Sequence, residues 1–231
     1  MNLLQRSYKK ELLDSDDISF DDIRKNMEEL NFINVWLGGH RITIKGLKQF
    51  AAGEKEITIC EIGCGGGNNL AAIVKWCIEK NISVKCIGID IKEECITFAK
   101  QNKLLHNCTN WITSDYSNVQ FERKPDIIFS SLFCHHFAEE ELSKQLQWMK
   151  ENSAAGFFIN DLQRNTLAYY SILVLTKLFS NSYLVKNDAP LSVARGLIKK
   201  EWKKIFSDAG IQQFSIEWQW AFRYLIIYKH A

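Results

Sequence analysis

The 231-residue sequence is 46% hydrophobic and 24% charged, with 12 glycines, two prolines and a formal net charge of +2. That composition suits one globular domain over 1–231 with a sizeable core and leaves no room for a disordered linker. The balanced charge lacks the basic bias of most nucleic-acid binders, the chain starts without a signal-peptide apolar run, and the most apolar window, 167–179, is interrupted by Lys177 and too short to span a bilayer.

Residues 1 to about 50 read as helical and amphipathic, with Ile23, Met27 and Leu30 recurring at helical spacing behind Ser19-Phe20-Asp21-Asp22. From there strands and helices alternate. Residues 56–62 form a buried-strand pattern, and Leu70, Ile73, Val74, Cys77 and Ile78 mark one face of a helix. Residues 84–89 predict a second strand and 92–107 a second helix. Residues 111–113, 126–131 and 155–161 predict three more strands, with a helix carrying Leu142, Leu146 and Met149 before the last. Such alternation predicts a doubly wound, Rossmann-like α/β sheet with right-handed crossovers. Residues 162–191 then carry dense apolar and aromatic side chains, which read as a helical insertion over the sheet's carboxyl edge. Ser192 is placed as the cap of a helix through Trp202 and Phe206 that stops at Gly210. Strands at 213–218 and 222–228 are close enough to pair as an antiparallel hairpin. The seven cysteines contain no C-x-x-C pair and read as reduced, mostly buried thiols, with no metal site expected.

The strongest motif is Glu61-Ile62-Gly63-Cys64-Gly65-Gly66-Gly67-Asn68, directly between a strand and a helix. Four glycines in five positions exceed what a turn requires and let a ligand approach the backbone. The spacing is G-x-G-x-G rather than the G-x-G-x-x-G of dinucleotide binders, and Glu61 would repel a pyrophosphate while suiting an amino-bearing cation. Asp90 ends the second strand, 23 residues beyond Gly67, where a carboxylate accepts from a ribose diol; it could also cap the next helix. Asp115 follows the third strand, placed for an adenine amino group with Tyr116 against the ring, although the same residues also suit a plain turn.

These three sites, in this order on alternating strands, resemble the class I S-adenosylmethionine-dependent methyltransferases over about residues 55–161, and the closing hairpin fits that family's seven-stranded sheet. The resemblance implies that Gly63, Gly65 and Gly67 pass under the methionine part of S-adenosylmethionine, that Glu61 orients the loop and the amino end, and that Asp90 holds the ribose. It also implies that Ile91 lies against adenine, that Asp115 binds the adenine amino group, and that Ser131, at the end of the fourth strand, faces the cofactor. A narrower likeness joins Glu11-Leu12-Leu13-Asp14, the stretch Asn31 to Arg41 with Gly38-Gly39, His135-His136, Asp161-Leu162-Gln163-Arg164 and Leu191-Ser192-Val193-Ala194-Arg195. It points to small bacterial methyltransferases of quinone, polyketide and phenolic-lipid type, from which Trp36 departs because a polar or basic residue is expected there.

The segment Phe129 to Phe137 follows the fourth strand and faces the ligand crevice of a doubly wound sheet. His135 and His136 are the candidate general bases for a phenol or enol acceptor, with a slight edge to His135 because it comes first; either could instead pack or cap. The run Cys134-His135-His136 is not expected to bind a metal, because three adjacent residues cannot all point at one ion. Arg164 is placed at the crevice, either on an anionic substrate group or paired with Asp161, and Tyr169 in an aromatic substrate pocket under the insertion. The expectation is a cytoplasmic enzyme with a helical lid over 1–50, a cofactor core over 55–161 and a substrate cap over 162–191. It would methylate a small aromatic or polyketide-like acceptor at oxygen, with no nucleic acid as partner. Methylation at carbon or nitrogen, a nicotinamide-dependent oxidoreductase and a non-catalytic S-adenosylmethionine-binding module stay open.

Overall fold

The computed structural model describes residues 3–15 and 17–230; Met1, Asn2, Asp16 and Ala231, and with them the ends of the span read as one domain, lie outside the described residues. The elements are α1 (Phe20–Trp36), α2 (Gly39–Leu47), β1 (Glu56–Ile62), α3 (Asn68–Glu79), β2 (Ser83–Asp90), α4 (Glu93–Ala99) and β3 (Thr109–Thr113). They continue with β4 (Ile127–Ser131), α5 (Glu139–Asn152), β5 (Gly156–Leu162), α6 (Thr166–Phe179), α7 (Tyr183–Arg195), α8 (Lys199–Asp208), β6 (Ser215–Gln219) and β7 (Arg223–Lys229).

The seven strands form one Rossmann-like sheet in the order β3-β2-β1-β4-β5-β7-β6. β1 pairs in parallel with both β2 and β4, so the winding reverses between β1 and β4, and a crevice opens at the carboxyl ends of those strands. Every residue of β4 is buried, as a central parallel strand covered on both faces demands. β7 runs antiparallel to β5, which brings Arg223 opposite Leu162 and returns the closing hairpin to the crevice edge. On one face Leu142, Leu146 and Met149 of α5 and Trp202, Ile205 and Phe206 of α8 pack on the sheet; on the other, Ile42 and Leu47 of α2 join Leu70, Ile73, Val74 and Cys77 of α3. A third cluster, Ile23 and Met27 of α1 with Cys95 of α4, lays α1 across the crevice mouth.

Ser19 caps α1, its hydroxyl accepting from the Asp22 N–H at 3.2 Å. Four expectations are corrected. Among the described residues before Ser19 the one helical turn is the 3-10 turn at Leu12–Asp14, because this arm lies against α7, where the Ser7 N–H donates to the Ala194 carbonyl, rather than forming a helix of its own. The helix expected over 92–107 stops at Ala99, and Asn102 caps a separate 3-10 turn at Lys103–Leu105. Ser192 lies inside α7, where its hydroxyl donates to Glu11, and α8 begins after Ile198 instead. The hairpin strands sit one or two residues later than expected, since Gln219 pairs with Arg223 and the three residues Trp220, Ala221 and Phe222 make the turn, the last two at positive φ.

Candidate active site

A cavity of about 830 Å³ occupies the crevice. Its floor is the glycine loop and the ends of β2, β4 and β5; its roof is α1, α6, α7 and the N-terminal arm; the hairpin turn closes one side.

At one end the sequence folds a ligand cradle from two adjacent strands. The loop leaves β1 with Gly63 at φ 64° and Gly65 at φ 50°, conformations that side chains disfavour. A Cβ at Gly63 would lie 2.2 Å from the Phe133 ring, so that glycine also lets the β4 loop close over it. Asp90 holds this geometry: one carboxylate oxygen accepts the Gly65 N–H at 2.8 Å and the other the Lys92 N–H at 3.0 Å. It is at once the brace of the loop and the cap of the following turn, and each oxygen keeps a further lone pair for a ligand hydroxyl. Burial raises the Asp90 carboxyl against the pull of those N–H groups.

Glu61 is 1% exposed. Its Oε1 accepts from Asn69 at 2.9 Å, while Oε2 has no partner. Burial pushes this carboxyl well above the ordinary carboxylate range, with nearby Asp90 acting the same way and Asn69 opposing. A buried acid with an orphaned oxygen beside a second carboxylate is completed by a cationic, N–H-bearing group. Ile91 is 69% exposed and lines the cavity, as does Asp115, whose Oδ1 takes the Ser117 N–H and hydroxyl at 2.8 and 2.7 Å. Tyr116 and Ser131 also line it. Tyr116 packs edge-on against Phe133, Phe137 and Trp148, making it part of an aromatic wall. Ser131 is buried and accepts from Asn160 at 3.3 Å. Gly67 does not line the cavity: it starts α3 at φ 71°, and a Cβ there would lie 2.7 Å from Trp111, so its role is packing.

The other end is assembled from distant segments. After β4, Leu132 takes φ 54° and the chain coils through a 3-10 turn at Cys134–His136. Asp161, fully buried at the end of β5, accepts the backbone N–H of Phe133, His135 and Leu162 at 3.2, 3.3 and 2.7 Å and faces His135 Nδ1 at 2.7 Å. Two buried arginines hold the same turn from outside: Arg6 donates to the His135 and Phe137 carbonyls, and Arg195 to those of His135 and His136. Cys134 turns away, toward Ser130 and Gln145.

The two imidazoles converge on Glu11. His135 Nε2 lies 3.6 Å from Oε1 and His136 Nε2 3.7 Å from Oε2, while His136 Nδ1 lies 3.4 Å from Asp14. The Ser192 hydroxyl fixes Glu11 from the far side at 2.7 Å. Burial works against charging His135, but Asp161 and Glu11 outweigh it and push its pKa up to about 9. Their own carboxyls are held below the ordinary range, against burial, chiefly by the two histidines. His135 is therefore an imidazolium at neutral pH, 2% exposed and a poor proton acceptor. Both histidines line the cavity, and His136, with 23% of its side chain exposed, is the more accessible of the two, whereas the sequence slightly favours His135. Glu11, His135 and His136 also place three possible metal-ligating atoms within 4.8 Å of one another, a juxtaposition that sequence adjacency alone did not suggest.

Two expected substrate contacts are not at the cavity. Arg164 is buried in a fork with Glu201 at 2.6 and 3.0 Å and donates to the Gly196 and Leu3 carbonyls, so it ties β5 to α8 and pairs with Glu201 rather than Asp161. Tyr169 packs edge-on against Tyr170, on the side of α6 away from the cavity, because Leu167, Ala168, Ser171, Ile172 and Leu175 take the inner side. Trp36 is 74% exposed and lies tilted against Phe32, off the cavity lining. Sequence reasoning assigned no chemistry to Glu11, Asp14, Asn34, Arg195 or Arg223, all of which line the cavity. Glu11, Asp14, Asn34 and Arg195 stood in stretches noted only for their likeness to a family, and no local pattern marks Arg223.

Residues 59–156, which contain the glycine loop, Asp90, Asp115 and the histidine turn, match the family model described as a methyltransferase domain. No curated protein matches the sequence. Among solved structures, an S-adenosylmethionine-dependent methyltransferase from Aquifex aeolicus is 21% identical with a TM-score of 0.63, covering 88% of this chain and 96% of its own. The plantazolicin methyltransferase BpumL, solved with a substrate analogue and S-adenosylhomocysteine, is 16% identical with a TM-score of 0.66, over 92% and 89%. Human N-acetylserotonin methyltransferase, solved with S-adenosylmethionine, is 18% identical with a TM-score of 0.64, over 90% of this chain and 56% of its own. The chain likewise spans 57% of a similar Nostoc punctiforme protein. The fold is that of the class I methyltransferases.

Proposed function

We propose that the protein is an enzyme that transfers a methyl group from S-adenosylmethionine to the oxygen of a small, hydrophobic, aromatic or polyketide-like acceptor. The observation that carries this reading is the partition of one cavity. A glycine loop with Asp90 and a half-satisfied buried Glu61 lies at one end, a histidine turn with Glu11 at the other, and α6 roofs the space with apolar side chains.

Asp90 would take the ribose hydroxyls, Ile91 and Asp115 the adenine, and Glu61 with the glycine loop the methionine end. S-adenosylmethionine supplies an electrophilic methyl on sulfonium. The chain's residues align the acceptor oxygen with that carbon, and alignment alone can supply a large share of the barrier reduction. His136 takes the proton of the acceptor hydroxyl at Nε2, with Asp14 against Nδ1 to hold the ring. Glu11 and the His135 imidazolium position it rather than react. Leu167, Ile172 and Leu175 of α6 keep water away and favour an apolar acceptor body.

The test is methyl transfer from S-adenosylmethionine to a panel of alkylphenols, hydroxypyrones and matched anilines, read by mass spectrometry. The reading predicts O-methyl products, with kcat lost about 100-fold or more in His136→Ala. Methylation confined to the anilines, or products methylated on ring carbon, would contradict it.

A further inference from the structure

Four arginines are buried in this fold: Arg6, Arg164, Arg195 and Arg223. Three of them each donate at least three hydrogen bonds. Arg223 is the most buried, at 2% exposure, yet its Nε and Nη1 have no hydrogen-bond partner, and it forms no ion pair among the described residues. It stands at the start of β7, opposite Leu162 at the end of β5, and lines the cavity.

The surroundings are unfinished in the same way. Asn34 Oδ1 and His40 Nε2 are buried without partners. A Cβ built on Gly39 would lie 1.7 Å from Asn34 Oδ1 and 2.6 Å from Arg223 Nη1, so α1, α2 and β7 bring both side chains to one point above a glycine. The carboxylate that acts on Arg223, Asp161, is already engaged by three backbone N–H groups and His135. Burial accordingly draws the Arg223 guanidinium down to about 10, with Asp161 opposing, and burial together with Arg223 lowers His40. A buried charge without a counterion costs several kcal/mol. The five N–H donors of a guanidinium fit a carboxylate edge to edge, with two parallel hydrogen bonds.

We propose that Arg223 is the anion-binding subsite of the cavity, and that it takes a carboxylate carried by one of the two molecules held there. That carboxylate is either the amino-acid end of the methyl donor or an acid group on the acceptor. The inference rests on the methyl-transfer reading for the identity of those molecules, but not for the existence of the subsite.

The experiment is calorimetric titration of the wild-type protein, Arg223→Gln and Arg223→Lys. The ligands are S-adenosylhomocysteine, 5′-methylthioadenosine (the same nucleoside thioether without the amino-acid end) and, on the S-adenosylhomocysteine-loaded protein, benzoate against benzamide. If the donor supplies the carboxylate, Arg223→Gln weakens S-adenosylhomocysteine about ten- to 100-fold and spares 5′-methylthioadenosine. If the acceptor supplies it, Arg223→Gln spares both nucleosides, and benzoate loses its advantage over benzamide. Arg223→Lys should retain part of whichever binding is lost, since it keeps the charge without the fork. Thermal unfolding of the ligand-free protein provides the fold control, because removing an unpaired charge should leave the midpoint unchanged or raise it. Unchanged affinities for all four probes in Arg223→Gln, or equal losses for both nucleosides with a lowered midpoint, would overturn the proposal. Failure of the wild type to bind either nucleoside, with benzoate still bound through Arg223, would strike the methyl-transfer reading and leave the subsite standing.

Discussion

At the glycine-loop end of the cavity, the polar groups come from β1, β2 and the residues just after them, and Asp90 meets Gly65 across neighbouring strands. At the histidine end, Glu11, His135, Asp161 and Arg195 come from the N-terminal arm, the β4 loop, β5 and α7, and each is buried against the others. The first end is a backbone shape with side chains left free for a ligand. The second is a charge network whose members satisfy one another. Loss of a group at the first end should therefore register as lost affinity, and loss at the second as lost stability.

The sharpest way to break that contrast is Asp161→Ala. It strips three backbone N–H groups and a buried imidazolium of their acceptor, and should cost about 3–5 kcal/mol in urea unfolding. A loss below about 1 kcal/mol would mean the network is not stabilising. Arg164→Ala should cost about 2–3 kcal/mol, because Glu201 is partly exposed and its charge can rehydrate. It should leave S-adenosylhomocysteine affinity unchanged, as expected of a residue that ties β5 to α8. Any substantial loss of affinity would return Arg164 to the site.

The network also sets a pH window. His135 has a folded-state pKa raised to about 9 from an ordinary 6.5, so its contribution is fully present below about 6.5 and is lost as pH rises toward 9. Glu11 and Asp161 are lowered, so theirs is present above the ordinary carboxylate range and lost as pH falls below it. Urea midpoints measured across pH should decline on the alkaline side from about 7 to 9, and His135→Asn should flatten that decline. A midpoint that rises over the same interval would show that His135 is buried neutral. The smallest effect is expected at Asp115, which is exposed and already bonded to Ser117: Asp115→Ala should weaken S-adenosylhomocysteine about three- to tenfold, read by calorimetry.

The same difference decides what could be read before the structure. The strand-loop-helix bearing Glu61 to Asn68 and the acid at the end of β2 are local patterns, and the sheet follows from alternating apolar runs. The histidine turn was legible as a location but not as an arrangement. His135 and His136 are neighbours in sequence, and only the fold reveals that Asp161 and Glu11 charge one of them while the other is left more exposed. Arg164 misled because its position after β5 suggests the crevice, whereas Glu201, 37 residues on, turns it into the α8 interface. Arg223 carried no signal, since a lone arginine opening an edge-side strand reads as solvent-facing until α1 and α2 are packed over it.

The central claim, that this cavity binds a methyl-donor nucleoside through the β1 loop and Asp90, is tested most directly by calorimetric titration with S-adenosylmethionine and S-adenosylhomocysteine. NAD serves as the control ligand and Asp90→Ala is run in parallel. The account predicts dissociation constants on the order of micromolar for the first two, no measurable binding of NAD, and a loss of about 100-fold or more in Asp90→Ala. Tighter binding of NAD, or S-adenosylhomocysteine affinity unchanged by loss of Asp90, would contradict it.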